Sequence, residues 1–276
     1  MAMENIIDET PGPKNEPLIT AKPYPSLGQA FALVGILLLI SVIVSAPFFF
    51  LQKTVMTGMQ SLVNVSIYTI SMVCLLVVGM KMRKSLKFAW KRVSWKAILL
   101  IIPLVISLSI LMEPIIDIIP MPELIQEYLN TLITNDFYSF LMVAIAAPLL
   151  EELVFRGIIL DGFLKRYSPV KAIFWSSVIF GLAHLNPWQF QPAFLFGLVI
   201  GWMYWKTGSL IPGIIAHFVA NSSSFLLLWF TGDNMATVHQ LVSNDKFYYM
   251  VYGICIPVFI GSVFLTRQKI TQQHQN

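Results

Sequence analysis

Eight runs of mainly apolar residues, at about 27–51, 61–80, 97–119, 137–155, 172–185, 190–205, 210–230 and 247–265, constrain this chain more than any other feature. An α-helix rises about 1.5 Å per residue, so about 20 apolar residues cross a hydrocarbon core of about 30 Å. The chain is therefore expected to be all-α, a polytopic transmembrane helical bundle of about eight spans with a polar intramembrane cavity. The fifth and sixth runs are short and are joined only by Asn186, Pro187, Trp188 and Gln189, which predicts a tight turn or a buried re-entrant corner. Composition agrees: 57% of the residues are hydrophobic and 12% charged, against roughly half apolar and a quarter charged in soluble domains.

The domain organisation follows from these runs. Residues 1–26, polar and rich in proline, are expected to form a flexible cytoplasmic leader; 27–266 a single transmembrane helical domain with its catalytic core at about 137–230; and 267–276 a cytoplasmic tail. The formal net charge is +4, but the basic residues lie between apolar runs. They read as orientation and lipid-surface charge, not as a nucleic-acid site. Lys81, Arg83, Lys84, Lys87, Lys91, Arg92 and Lys96 share one loop with no acidic residue, which the positive-inside rule places in the cytoplasm. Lys165, Arg166 and Lys171, then Lys206, then Arg267 and Lys269 fall on the same side, so both termini are expected inside. Localisation would then be a multi-pass integral protein of the plasma membrane if the source is bacterial. Cys74 and Cys255 lie inside apolar runs and offer neither a disulfide framework nor a CxxC metal motif. Gly197 and Gly201 make a GxxxG surface for close helix packing.

Ionisable groups at membrane depth cost at least about 2.5 to 3.5 kcal/mol each on insertion scales, so each one requires a reason. Glu151, Glu152 and Arg156 lie near the end of the fourth run, His184 in the fifth, and His217 and Asn221 in the seventh. Glu113 and Asp117, near the outer end of the third, are expected to be interfacial. Helical positions four apart project about 40° apart and neighbours about 100°. Glu152 and Arg156 can therefore form a buried ion pair while Glu151 faces a cavity, and His217 and Asn221 share one side of their helix. Counting at about 1.5 Å per residue from the cytoplasmic boundaries brings Glu151, His184 and His217 to similar depths, near or somewhat below the midplane. A carboxylate and an imidazole poised over one water suit general-base hydrolysis, and an imidazole with a carboxamide can donate to the resulting oxyanion.

Three stretches resemble motifs of a known family in order and spacing. EELVFRG is similar to the EExxxR motif, FGLAH to FxxxH and HFVAN to HxxxN of the CPBP intramembrane proteases, which include the type II CAAX prenyl endopeptidases and the bacteriocin-processing, Abi-like proteins. The resemblance covers roughly 137–230. It implies a helical membrane bundle around a conical cavity open to the cytoplasm, and a peptide or membrane-protein substrate. By resemblance, Glu151 would be the catalytic glutamate, His184 its partner in activating water, and His217 and Asn221 the oxyanion donors, with Glu152 and Arg156 supporting. The family is conventionally classed as metalloprotease, and Glu151, His184 and His217 would also make a Glu/His/His zinc set. The asparagine favours metal-free water activation, and zinc stays open. Two further readings stand beside these: a non-catalytic immunity or scaffold protein of the same fold, and a proton-coupled transporter, for which paired broken helices are lacking. Taken singly, a buried Glu/Arg pair is as well explained as a tether between helices.

Overall fold

The computed structural model describes residues 23–54, 58–116, 118–233, 236–242 and 244–273. Most of the expected leader, Asp117 and the end of the tail lie outside the described residues. The regular secondary structure of the described residues is all helical, with one isolated bridge between Trp90 and Ser209. In chain order the helices are α1 (Leu27–Thr54), α2 (Gln60–Arg83), α3 (Trp95–Ile116), the short α4 (Glu123–Leu132), then a long helical rod, α5, over 137–164. They continue with α6 (Pro169–Leu182), α7 (Pro187–Thr207), α8 (Ile211–Thr231), α9 (Val238–Val242) and α10 (Asp245–Gln273).

Five helices are long and apolar enough to cross a membrane: Leu27–Leu51, Gln60–Arg83, Trp95–Ile115, Ile211–Thr231 and Asp245–Ile270. The other three expected spans are a rod carrying charge (α5), a helix of 14 residues (α6) and a helix of 21 residues (α7). The fold is an all-α membrane bundle in which five helices meet the length and apolarity criterion, and the expected count of eight is not confirmed. Of the other three, α6 at 14 residues is short for about 30 Å of hydrocarbon, and α5 is a continuous rod that changes helical pitch along its length.

Apolar residues on α1 such as Leu39, Val42 and Ile43, and on α10 such as Ile254, Ile260 and Phe264, face outward, which suits helices solvated by lipid. The inner helices bury two apolar clusters. One joins Ala30 and Leu33 of α1, Met72 and Leu75 of α2, and Val154, Ile159 and Phe163 of α5 to Ile179 and Phe180 of α6. The other joins Ile101, Leu104 and Val105 of α3 to Phe196, Ile200 and Met203 of α7 and Ala216 of α8. The expected GxxxG surface is present: a Cβ on Gly197 would lie 3.1 Å from the Ser177 side chain, and one on Gly201 3.0 Å from Ile173. These glycines set how closely α7 approaches α6, so that the 186–189 corner can turn the chain back.

The basic loop after α2 does more than signal topology. Arg83 donates to the carbonyls of Ser85, Lys87 and Gly157 and lies against the Phe88 ring. Ser209 Oγ donates to the Lys91 carbonyl at 2.7 Å, and Leu210 N donates to the Ala89 carbonyl at 2.9 Å. Backbone carbonyls of a loop need donors once they leave water, and these contacts supply them. Glu113 is 7% exposed and accepts from Val238 N at 2.7 Å, which holds α9 against α3.

At the other end of the bundle Asp136 caps α5, accepting from the backbone N–H groups of Tyr138 and Ser139 at 2.8 and 3.0 Å. Its second oxygen accepts from the hydroxyls of Ser61 and Thr134. Burial pushes this carboxyl up, but the four hydrogen bonds outweigh it and hold it below the usual carboxylate range. A depressed folded-state value means that the stabilisation is complete above the unfolded value of about 3.9 and is lost as pH falls through the folded one. Asp136→Ala is expected to cost about 0.5–2 kcal/mol at neutral pH. Thermal unfolding in detergent at neutral pH and at about pH 3 should show the gap between variant and native protein narrowing with acid.

Candidate active site

The α5 rod carries the site because its pitch changes there. It runs as α-helix over Phe137–Phe140 and Ala147–Glu151, but as π-helix over Leu141–Ala146 and Glu152–Leu160. π-Helical turns are rare and occur often at functional sites. Here one begins at the second glutamate, so the two glutamates sit on either side of a change in winding. A π turn rotates less per residue than the 100° of an α-helix, which brings neighbouring side chains closer to one direction.

The ion pair expected from spacing is present: Arg156 Nη1 donates to Glu152 Oε1 at 2.8 Å, and both side chains are essentially fully buried. The guanidinium also lies over the Phe180 ring, 4.3 Å from its centroid. Glu152 is tightly enclosed, since a Cβ on Gly213 of α8 would stand 2.8 Å from its Oε2. Glycine at that position is what lets α8 come close enough for His217, one turn further on, to reach the same carboxylate.

His217 joins the two glutamates. Its Nδ1 is 3.0 Å from Glu152 Oε1, and its Nε2 is 3.7 Å from Glu151 Oε2. A carboxylate only accepts, so Nδ1–H is the donor to Glu152, and Nε2 is the nitrogen turned toward Glu151. The 3.7 Å separation is longer than a hydrogen bond. The expectation that Glu151 points away from its neighbour's surroundings is thus revised: both carboxylates reach one imidazole, from opposite ring nitrogens. Glu151 retains 13% side-chain exposure, whereas Glu152 has none. Its Oε1 accepts from the Tyr68 hydroxyl of α2 at 2.7 Å.

His184 stands at the end of α6. Its Nδ1 is 3.0 Å from the Phe180 carbonyl, so Nδ1–H donates there and Nε2 carries the lone pair in the neutral ring. The Phe180 ring packs edge-on against both His184 and His217, at 5.3 and 5.8 Å between centroids, and so links the two imidazoles without a polar contact between them. Asn221 shares the α8 face with His217, and its Nδ2 donates to the Val143 carbonyl in the first π segment at 2.7 Å. Such segments leave carbonyls without their ordinary helical donors, and Asn221 satisfies one of them.

The structure therefore bonds Glu152, Arg156 and His217 into one cluster with Glu151 facing it at 3.7 Å, His184 joined through Phe180 and Asn221 tied to the same rod. Two participants have no mark in the three motifs or receive no role from them: Tyr68, and Gly213, whose small size is what matters. Depth in the second run does not distinguish Tyr68, which shares the middle of that helix with Thr69 and Ser71. The zinc set does not assemble: among the described residues no group of three His, Cys, Asp or Glu side chains is placed to hold a metal ion. Ser209 offers no serine nucleophile in contact with His217 among the described residues. It is fully buried with its hydroxyl given to the Lys91 carbonyl.

Fold and site together define a helical membrane protein with a buried carboxylate–imidazole cluster at the junction of α2, α5 and α8. Residues 133–223, which hold all three motifs, match the family model described as Type II CAAX prenyl endopeptidase Rce1-like. The resemblance carried by EELVFRG, FGLAH and HFVAN is thereby borne out over this segment. A curated relative, CAAX prenyl protease 2 of Methanococcus maripaludis, is 32% identical over 154 residues, covering 47% of this chain and 55% of that protein. The chain thus matches about half the length of this relative. No solved structure matches.

Proposed function

We propose that this protein is an intramembrane endopeptidase of the CAAX protease type that hydrolyses a peptide bond with water activated by Glu151 and His184. The observation that carries this reading is the asymmetry of the two glutamates. Glu152 is enclosed, its Oε1 shared by Arg156 and His217 and its Oε2 buried without a hydrogen-bond partner, while Glu151 keeps some exposure and one oxygen on the His217 side. Proton transfer from water to Glu151 Oε2 accompanies attack of the water oxygen on the scissile carbonyl, whose π electrons move to oxygen. Collapse of the tetrahedral intermediate breaks the C–N bond, and the proton passes from Glu151 to the leaving amine. His184 Nε2, an acceptor, suits holding the second water hydrogen. Asn221 uses one amide hydrogen on Val143 and keeps the other for the oxyanion, beside His217. Glu152 and Arg156 orient His217.

The match to the family model and to the archaeal relative supports a peptidase. The basic loops favour an integral membrane protein with both termini cytoplasmic, acting on a peptide or on the tail of a membrane protein. The test is a comparison of membrane-bound and released peptides in cells expressing the native chain or Glu151→Gln. Peptides truncated only with the native chain are expected, and their cut sites define the substrate. Identical peptide sets would overturn the reading in favour of a non-catalytic membrane protein of this fold.

A further inference from the structure

We propose that Tyr68 of α2 is a positioning residue for the reaction, fixing which oxygen of Glu151 takes the proton from water. This rests on the reading of Glu151 as the base. A free carboxylate has two equivalent oxygens, and rotation about its last torsion exchanges them at little cost, since terminal sp³–sp² torsions are broad. In this site the plane of the carboxylate is held, so that one oxygen position faces the hydroxyl and the other faces His217. The Tyr68 hydroxyl donates to Oε1 at 2.7 Å, a charge-assisted hydrogen bond of ordinary strong length. Oε2 is thereby the oxygen on the His217 side, 3.7 Å from Nε2.

The partner on the far side is equally constrained. His217 is held through its other nitrogen by Glu152, which Arg156 and the close approach at Gly213 hold in turn. The carboxylate that acts is therefore clamped from α2 while the imidazole facing it is clamped from α5. A hydroxyl on a rigid ring is suited to this work because the ring has few torsions to freeze. Tyr68 lies on a helix outside the matched segment 133–223, so it couples α2 to the motif-bearing core at the reacting group itself.

The experiment uses the full-length chain in detergent or liposomes and a peptide that the native protein cuts. Steady-state rates are measured per monodisperse molecule for the native chain, Tyr68→Phe, Glu151→Asp, the double variant and Glu151→Gln. Phenylalanine keeps the ring and removes only the donor. Tyr68→Phe is expected to lower kcat by about 10- to 100-fold, the scale of a hydrogen bond to a charged group, with KM changed less than about twofold. Aspartate at 151 withdraws the carboxylate from the hydroxyl, so adding Tyr68→Phe to Glu151→Asp is expected to cost little more, a coupling that a purely structural tyrosine would not show. Full activity of Tyr68→Phe with an inactive Glu151→Gln would overturn the role of Tyr68 alone. So would a rise in KM at unchanged kcat, or additive losses in the double variant. Full activity of Glu151→Gln would overturn the base itself and this proposal with it.

Discussion

Glu151→Gln is expected to reduce turnover by at least about 10²-fold, the lower end of what a positioned general base contributes, while leaving the protein folded in the membrane. The substitution is nearly isosteric. The Tyr68 hydroxyl can donate to a carboxamide oxygen as it does to Glu151 Oε1 at 2.7 Å, and no buried ion pair is broken, because Glu152 is the partner of Arg156. What is lost is the capacity to accept a proton from water. Rate measurements on a cleaved peptide, with elution profile and thermal unfolding as the check on folding, decide the matter. Native turnover in the variant would remove Glu151 from the mechanism. His184→Ala removes the second group proposed to hold the water and is expected to act in the same direction.

The second large effect is on stability. Arg156→Ala takes away the only cation in contact with Glu152 among the described residues and leaves a fully buried carboxylate supported by His217 alone. Breaking one partner out of a buried pair costs about 3–5 kcal/mol, far more than the pair contributes over an apolar replacement. The guanidinium also covers the Phe180 ring at 4.3 Å, and that ring sets both imidazoles. Arg156→Lys keeps the charge but not the flat face or the fork of donors, so its loss is expected to be smaller. Thermal unfolding of the three proteins in one detergent should rank them native, lysine, alanine. An alanine variant as stable as the native protein would show that Glu152 finds another partner, and would take with it the account of this pair as the anchor of His217.

These two outcomes separate adjacent residues whose identical side chains have different jobs, and the separation was only half legible in the sequence. The i, i+4 spacing of Glu152 and Arg156, the shared face of His217 and Asn221, and the small-residue surface at Gly197 and Gly201 were all readable. Each depends on helical geometry within one segment. The convergence of both glutamates on one imidazole, Glu152 bonded and Glu151 at 3.7 Å, was not, because it needs the π turn at Glu152 and the approach of α8 at Gly213. Nor was the burial of Glu113, which the backbone N–H at the start of α9 makes tolerable. The count of eight crossings was not confirmed, since apolar composition alone does not separate a span from a short helix packed inside the bundle.

The division has a physical basis. Within a helix the covalent chain fixes the rise and rotation between residues, so the sequence by itself determined an all-α membrane bundle, its motif-bearing core and the Glu152–Arg156 pair. Between helices nothing in the chain fixes the distance, which depends on how many side chains pack and where small ones let backbones approach. Only the tertiary structure could therefore single out Tyr68 from nine tyrosines, bring it across 83 residues to Glu151, and leave that carboxylate with one oxygen held and the other turned toward His217.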